Sequence, residues 1–279
     1  MAIPELTRSI GLLARMPVLW VPGVVAGALA AILWLIFAFT GTFFAGRLLL
    51  ISGLVLVLFI TGMLCCIRDD NGSLNTLLRE GARSYFRVLL PQLVIVFVLL
   101  LIFVLIVITM TLAGSAPDPV LTACITFIVM VPSLILTFFS DAAAVFENRG
   151  TFDAIRRSIS LVGDHVNAAI AFFVVSIVLA GAILFCLMIA WEAALYDRLE
   201  PITHYTQAQI QAFTPDQLLT IIGHDGSWIT ALVLFVAGLI LVPLLVTYKA
   251  CFFRSIAGQT PVIQQMTGEY DEKGRWYKY

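Results

Sequence analysis

Six apolar stretches, each long enough to cross a bilayer, fill more than half of this chain and fix the solvent it folds in. They run Val18 to Phe44, Leu48 to Ile67, Val88 to Leu112, Val120 to Phe146, Val166 to Trp191 and Trp228 to Phe253. A helix rising ~1.5 Å per residue needs about 20 apolar residues to cross a hydrocarbon core roughly 30 Å thick, and all six reach that length. Hydrocarbon offers no partner to a backbone N–H or C=O, so such stretches must pair their own backbone groups as helices. With 61% hydrophobic and 12% charged residues, the chain also lacks the polar surface of a soluble globule. The expected fold is all-α and polytopic: a six-helix domain over residues 1–258, an outer loop at 192–227 and a tail at 259–279 too short to be a domain.

The charges are sorted between the loops. Arg8, Arg15, Arg68, Arg79, Arg83, Arg87, Arg149, Arg156, Arg157, Lys249, Arg254, Lys273, Arg275 and Lys278, 14 of the 16 cationic residues, fall on one side. Only Arg47 and Arg198 fall on the other, among Asp118, Glu192, Asp197, Glu200, Asp216 and Asp225. The positive-inside rule then predicts cytoplasmic N- and C-termini for a protein of the plasma or inner membrane. The first apolar run is too long for a cleaved signal and is expected to stay as a membrane helix. The cysteines, Cys65, Cys66, Cys124, Cys186 and Cys251, lie in or at the ends of apolar runs, which argues against a disulfide framework.

The basic loops carry helices of their own. After Asn71 and Gly72, Ser73 caps a segment in which Leu74, Leu77, Leu78, Ala82, Tyr85 and Phe86 recur at helical spacing, opposite Asn75, Arg79, Glu80, Arg83 and Arg87. Thr151 caps a second one, with Phe152, Ile155, Ile159 and Val162 opposite Asp153, Arg156, Arg157 and Ser160. The N-terminus sets Ile3, Leu6, Ile10 and Leu13 against Glu5, Arg8 and Ser9. Each predicted surface helix precedes a pair of spans, and Arg8-Ser9, Arg83-Ser84 and Arg157-Ser158 are 75 and then 74 residues apart. The chain therefore reads as three repeats of interfacial helix plus hairpin. Pro17, Pro91 and, in the third unit, Gly163-Asp164 mark where a surface helix turns into a span. On the outer side, Thr214-Pro215 opens a short helix that runs to Gly223.

Few residues suggest chemistry. Asp141 is the one acid placed inside a span, about five residues from its basic end, where Arg149 or Arg156 is the expected partner. Pro132 and Pro243 interrupt the fourth and sixth spans, either as kinks or as the paired breaks of a transporter site, with Ser133, Thr137 and Thr247 at hand. Gly23, Gly27 and Ala31 form a small-residue stripe suited to close packing within the bundle. His204 and His224 in the outer loop match no metal pattern, and no nucleotide, hydrolase, zinc or redox motif occurs.

The run Phe146-Glu147-Asn148-Arg149-Gly150-Thr151-Phe152-Asp153-Ala154-Ile155-Arg156-Arg157-Ser158, with the opening Leu12-Leu13-Ala14-Arg15-Met16-Pro17, resembles six-span proteins named after the membrane domain attached to some bacterial glycerophosphodiester phosphodiesterases. The resemblance implies a free-standing membrane module; no catalytic residue carries over, because in those fusions the chemistry belongs to a separate soluble domain. The expected function is non-enzymatic, without metal or cofactor. Its expected partners are membrane lipids or another membrane protein rather than nucleic acid, with Arg79, Arg83, Arg87, Arg156 and Arg157 at lipid headgroups. The alternative is a small-solute or ion transporter using Pro132, Pro243 and Asp141.

Overall fold

A computed structural model describes residues 2–112, 119–207, 209, 213–258, 268–270 and 276–278. The helices are α1 (Ala2–Arg15), α2 (Val21–Thr40), α3 (Thr42–Asp69), α4 (Leu74–Leu112), α5 (Pro119–Thr137), α6 (Ser140–Phe146), α7 (Thr151–Asp164), α8 (Val166–Ala194), α9 (Tyr196–Leu199) and α10 (Pro215–Ala257), with 3₁₀ turns at Pro17–Trp20 and Glu200–His204. Six helical stretches are long and apolar enough to cross a membrane. The protein is a helical membrane protein, as the apolar runs require. Asp118 lies outside the described residues, as does the tail except for two three-residue strands, Gly268–Tyr270 and Trp276–Lys278, paired antiparallel.

Several boundaries differ from those expected. The first span ends at Thr40 rather than Phe44, because Gly41 takes φ +82°, a conformation that closes a helix and that glycine adopts without strain. Phe43, Phe44 and Arg47 thus start α3, with the Arg47 guanidinium 4.0 Å from the Phe43 ring centre. Pro91 does not separate a surface helix from the third span: α4 runs unbroken through it for 39 residues, roughly 58 Å. Only about 20 of those residues fit in a hydrocarbon core, so the Leu74 end must project from it or tilt strongly. The third unit breaks at His165 rather than at Gly163-Asp164. The fourth span breaks too, at Phe138-Phe139, into α5 and α6.

At the acidic end, Thr214 forms the expected cap, reinforced by Gln217 in a reciprocal capping box. The short outer helix ends at Gly223, whose φ of +65° kinks α10. Arg198 clamps that kink, donating to the Ile222 carbonyl at 2.6 Å and pairing with Asp225 at 2.9 Å.

Two glycine seams bring backbones together. A Cβ built on Gly27 would stand 2.2 Å from the Phe235 carbonyl oxygen, and one on Gly238 would stand 2.6 Å from the Gly27 Cα. A Cβ on Gly23 would meet the Leu239 carbonyl and the Pro243 ring. The stripe predicted from Gly23 and Gly27 therefore packs α2 against α10, inside the bundle. In the second seam a Cβ on Gly62 of α3 would lie 2.1 Å from the Leu77 carbonyl oxygen of α4. Close approach of this kind lets dispersion hold helices together in a solvent as apolar as their side chains.

The densest core lies at the basic end, where the last turns of α3, α6 and α10 meet α7 and the start of α8. Phe139, Phe172, Tyr248 and Phe252 are fully enclosed there, and Phe172 stacks on both Tyr248 and Phe252 at 4.7 Å. In α4 and α5, by contrast, the apolar residues towards the acidic end, such as Phe97, Leu105 and Phe127, are exposed, as a hydrocarbon solvent permits.

Candidate functional site

The helix α1, the first turns of α4 and the helix α7 share one arrangement, finer than an apolar and a polar face. In α1 the buried side carries Glu5, Ser9 and Leu13; in α4 it carries Leu77, Gly81, Ser84 and Val88; in α7 it carries Ala154, Ser158, Leu161 and Val162. Successive 100° steps place a second sector, of exposed apolar residues, about a third of a turn round in the same sense each time. That sector holds Ile3 and Ile10, then Leu78 and Phe86, then Phe152 and Ile159. The remaining sector is polar and exposed: Arg8 and Arg15, then Arg79, Arg83 and Arg87, then Asp153, Arg156 and Ser160. Ser9, Ser84 and Ser158, the serines of the Arg-Ser pairs, are 0%, 6% and 0% exposed, so the spacing noticed in the sequence marks one repeated seat against the bundle.

The cationic residues divide by use. Arg68 donates to the Val145 carbonyl at 3.2 Å, and Arg254 donates to the Ile67 carbonyl at 3.2 Å, each serving the C-terminal end of a neighbouring helix where a positive charge is favoured. Arg157, expected at headgroups, instead turns inward to pair with Glu147 at 2.9 Å, with its side chain 14% exposed; Arg149 pairs with the same carboxylate. Arg79, Arg83 and Arg156 are exposed and form no ion pair among the described residues. Arg87 is exposed as well and donates to the Asn148 side chain in the loop before α7. A polar cavity of about 270 Å³ opens beside Arg79, lined also by Asp69, Asn71, Asn75, Thr76 and Glu80, so it carries two acids with its one arginine.

Asp141 sits behind this surface. Where the fourth span breaks, Ser158 of α7 takes over the loose backbone: its Oγ accepts from the Phe139 N–H at 3.0 Å and donates to the Leu136 carbonyl at 2.7 Å. The break starts α6, and Asp141 falls in its first turn, where Oδ1 accepts from the Ala142 N–H at 2.7 Å. Its partner is neither Arg149 nor Arg156 but Lys249 of α10, whose Nζ is 2.7 Å from Oδ1 and 2.8 Å from Oδ2. The two side chains are 8% and 11% exposed, and the ammonium also lies 4.1 Å from the Phe138 ring centre. Desolvation of each charge is offset by the other and by these contacts, so the pair is a neutral link between the fourth and sixth spans.

Replacing Ser158 by alanine would leave the Phe139 N–H and the Leu136 C=O without this partner in a closed environment. The expected cost is about 1–3 kcal/mol, read as lowered resistance of the purified protein to unfolding in mixed detergent micelles; an unchanged unfolding midpoint would remove Ser158 from this role.

The two prolines face different surroundings. Pro132 lies on an exposed face of α5, whereas Pro243 is buried against Gly23. Ser133 donates to the Val129 carbonyl and Thr137 to the Ser133 carbonyl, each within its own helix. Thr247 Oγ1 is buried without a hydrogen-bond partner among the described residues. Among the described residues no three His, Cys, Asp or Glu side chains converge to hold a metal ion, and His224 is exposed, with only a 4.0 Å approach to Asp225.

Sequence reasoning missed Lys249 as the partner of Asp141 and Glu147 as the partner of Arg157. It also missed an apolar crevice of about 250 Å³ between α4, α5 and α7. No curated protein and no solved structure matches the chain. One family does match, over residues 1–256: the chain belongs to the family described as Domain of unknown function (DUF7847).

Proposed function

We propose that this protein is a non-enzymatic, multi-pass module of the plasma or inner membrane that gathers anionic lipid on its basic, cytoplasmic side. The observation that carries the proposal is the threefold repetition of one helix design: a sector seated on the bundle around Ser9, Ser84 and Ser158, an exposed apolar sector and an exposed polar sector that holds at least one arginine each time. Each Lys or Arg held near an anionic leaflet contributes about 1 kcal/mol, so Arg79, Arg83 and Arg156 together favour such lipid by roughly a hundredfold if they act independently. The transporter reading has less to stand on: Asp141 is neutralised by Lys249, and Pro132 and Pro243 line no common chamber in the cavities described above.

Purified full-length protein, exchanged into nanodiscs of mixed phosphatidylcholine and phosphatidylglycerol, is expected to retain phosphatidylglycerol preferentially on native mass spectrometry. Replacing Arg79, Arg83 and Arg156 by glutamine should abolish most of that preference. Equal retention of the two lipids by the wild type would defeat the proposal. Tags on the two ends should both be reached from the cytosol and neither from outside; tags found on opposite faces would overturn the orientation.

A further inference from the structure

The crevice between α4, α5 and α7 is followed, along α4 and α5, by a second pocket with Ile102 in the walls of both. The lower chamber, about 250 Å³, has Val98 and Ile102 of α4, Leu136 of α5, and Ile155 and Ile159 of α7 among its walls. The upper one, about 300 Å³, shares Ile102 and continues past Ile106 to Met110 of α4 and Ile125 of α5. From Val94 to Met110 the two pockets together follow 17 residues of α4, a rise of roughly 24 Å, which exceeds the ~15 Å of hydrocarbon in one leaflet. Ser133 and Thr137, the hydroxyls on its lower wall, both donate to carbonyls of their own helix, so the wall offers a polar solute no free donor there. Its surface suits a hydrocarbon chain.

The mouth at the basic end has the opposite character. Arg87 lies on α4 about two turns before Val94 and is hydrogen-bonded to Asn148 in the loop that leads into α7. Arg156 follows the wall residue Ile155 on α7, so each of the two helices carries an exposed arginine near that end of the crevice, one two turns from a wall residue and one next to a wall residue in the chain. Of the acids near this end, Glu147 is engaged by Arg149 and Arg157, while Asp153 is exposed one turn before Arg156 on the same face of α7. We propose that this groove is a specific site for one anionic phospholipid, with an acyl chain lying between α4 and α5 and the phosphate held between Arg87 and Arg156. The site rests on the lipid reading above but adds to it, since a leaflet-wide attraction requires no groove.

The test uses the full-length protein in phosphatidylcholine nanodiscs doped with phosphatidylglycerol or phosphatidylcholine carrying a diazirine in the acyl tail. After irradiation, labelled peptides are expected from residues 94–110 of α4 and 125–137 of α5, more strongly with the phosphatidylglycerol probe. Arg87→Gln with Arg156→Gln should lower that labelling roughly 30-fold if both contacts are lost. Val98→Trp, or Ile106→Trp should the first variant not fold, should remove labelling at the groove while leaving phosphatidylglycerol retention elsewhere intact. Arg79→Gln with Arg83→Gln should do the reverse, which separates failure of the site from failure of the broader reading. Labelling scattered evenly over the exposed faces of α2, α3, α4 and α8, or equal groove labelling by the two probes, would overturn the site.

Discussion

Lys249→Met is expected to lower stability by roughly 3–5 kcal/mol, because it strips a buried carboxylate of its counter-charge while leaving it enclosed. Asp141 is 8% exposed, and besides Lys249 it accepts a hydrogen bond from the adjacent Ala142 N–H, so little remains to offset its desolvation. Asp141→Asn should be similarly harmful, since it strands an ammonium against the Phe138 ring and the apolar end of the fourth span. The double variant Asp141→Asn with Lys249→Met carries neither charge and should recover most of the loss, a non-additivity of several kcal/mol that a double-mutant cycle measures directly. Unfolding of the four proteins in graded SDS within mixed micelles supplies the numbers. A Lys249→Met protein as stable as the wild type would show that the pair does not hold the fourth and sixth spans together. A double variant no better than the singles would show that the charges act separately.

What the sequence revealed and what it hid follow from the range of each interaction. The bilayer sets a length and the leaflets set a charge asymmetry, and both are read locally, so the existence of the apolar helices was visible in the composition of successive windows. The cap at Thr214 was visible for the same reason: its partner Gln217 is three residues away. Lys249 is 108 residues from Asp141, and no local spacing could prefer it to Arg149 or Arg156. The Gly41 turn was concealed by Phe43 and Phe44, which extended the apolar window across a glycine that closes the helix. Pro91 misled in the other direction. A proline removes one backbone hydrogen bond, but Pro91 is buried and α4 continues through it.

The inward sector of the surface helices was hardest to see. Hydropathy separates Leu78 and Phe86 from Arg79 and Arg83, but it scores Gly81 and Ser84 as nearly indifferent, and those small residues are what touch the bundle. The signal was present in another form, the Arg-Ser pairs spaced 75 and 74 residues apart, whose serines prove to be the buried ones. Likewise, the basic character of the termini-bearing end did not disclose which cations face outward, because Arg68, Arg157 and Arg254 bond to partners on other elements.

Gly27→Leu should be the most damaging change to the bundle itself. At this position even a Cβ would stand 2.2 Å from the Phe235 carbonyl oxygen, and the obstructing atom is backbone, which cannot rotate away. Side chains forced into a filled site commonly cost about 1–3 kcal/mol; here the helices must also separate, and the contacts between α2 and α10 at Gly23 and Gly238 are lost with the one at Gly27. Gly53→Leu is the matched control, for nothing lies within 4 Å of its Cβ position on α3, and removing a mid-helix glycine should be neutral or stabilising by up to about 1 kcal/mol. Size-exclusion profiles and unfolding midpoints of the two variants should therefore diverge sharply. Equal behaviour would mean that the α2–α10 seam tolerates a bulky side chain. The consequence would reach beyond packing: α10 carries Lys249, so a seam free to open would also leave the link to Asp141 unfixed, and the break that seats α7 with Arg156 beside the crevice would lose its support from the sixth span.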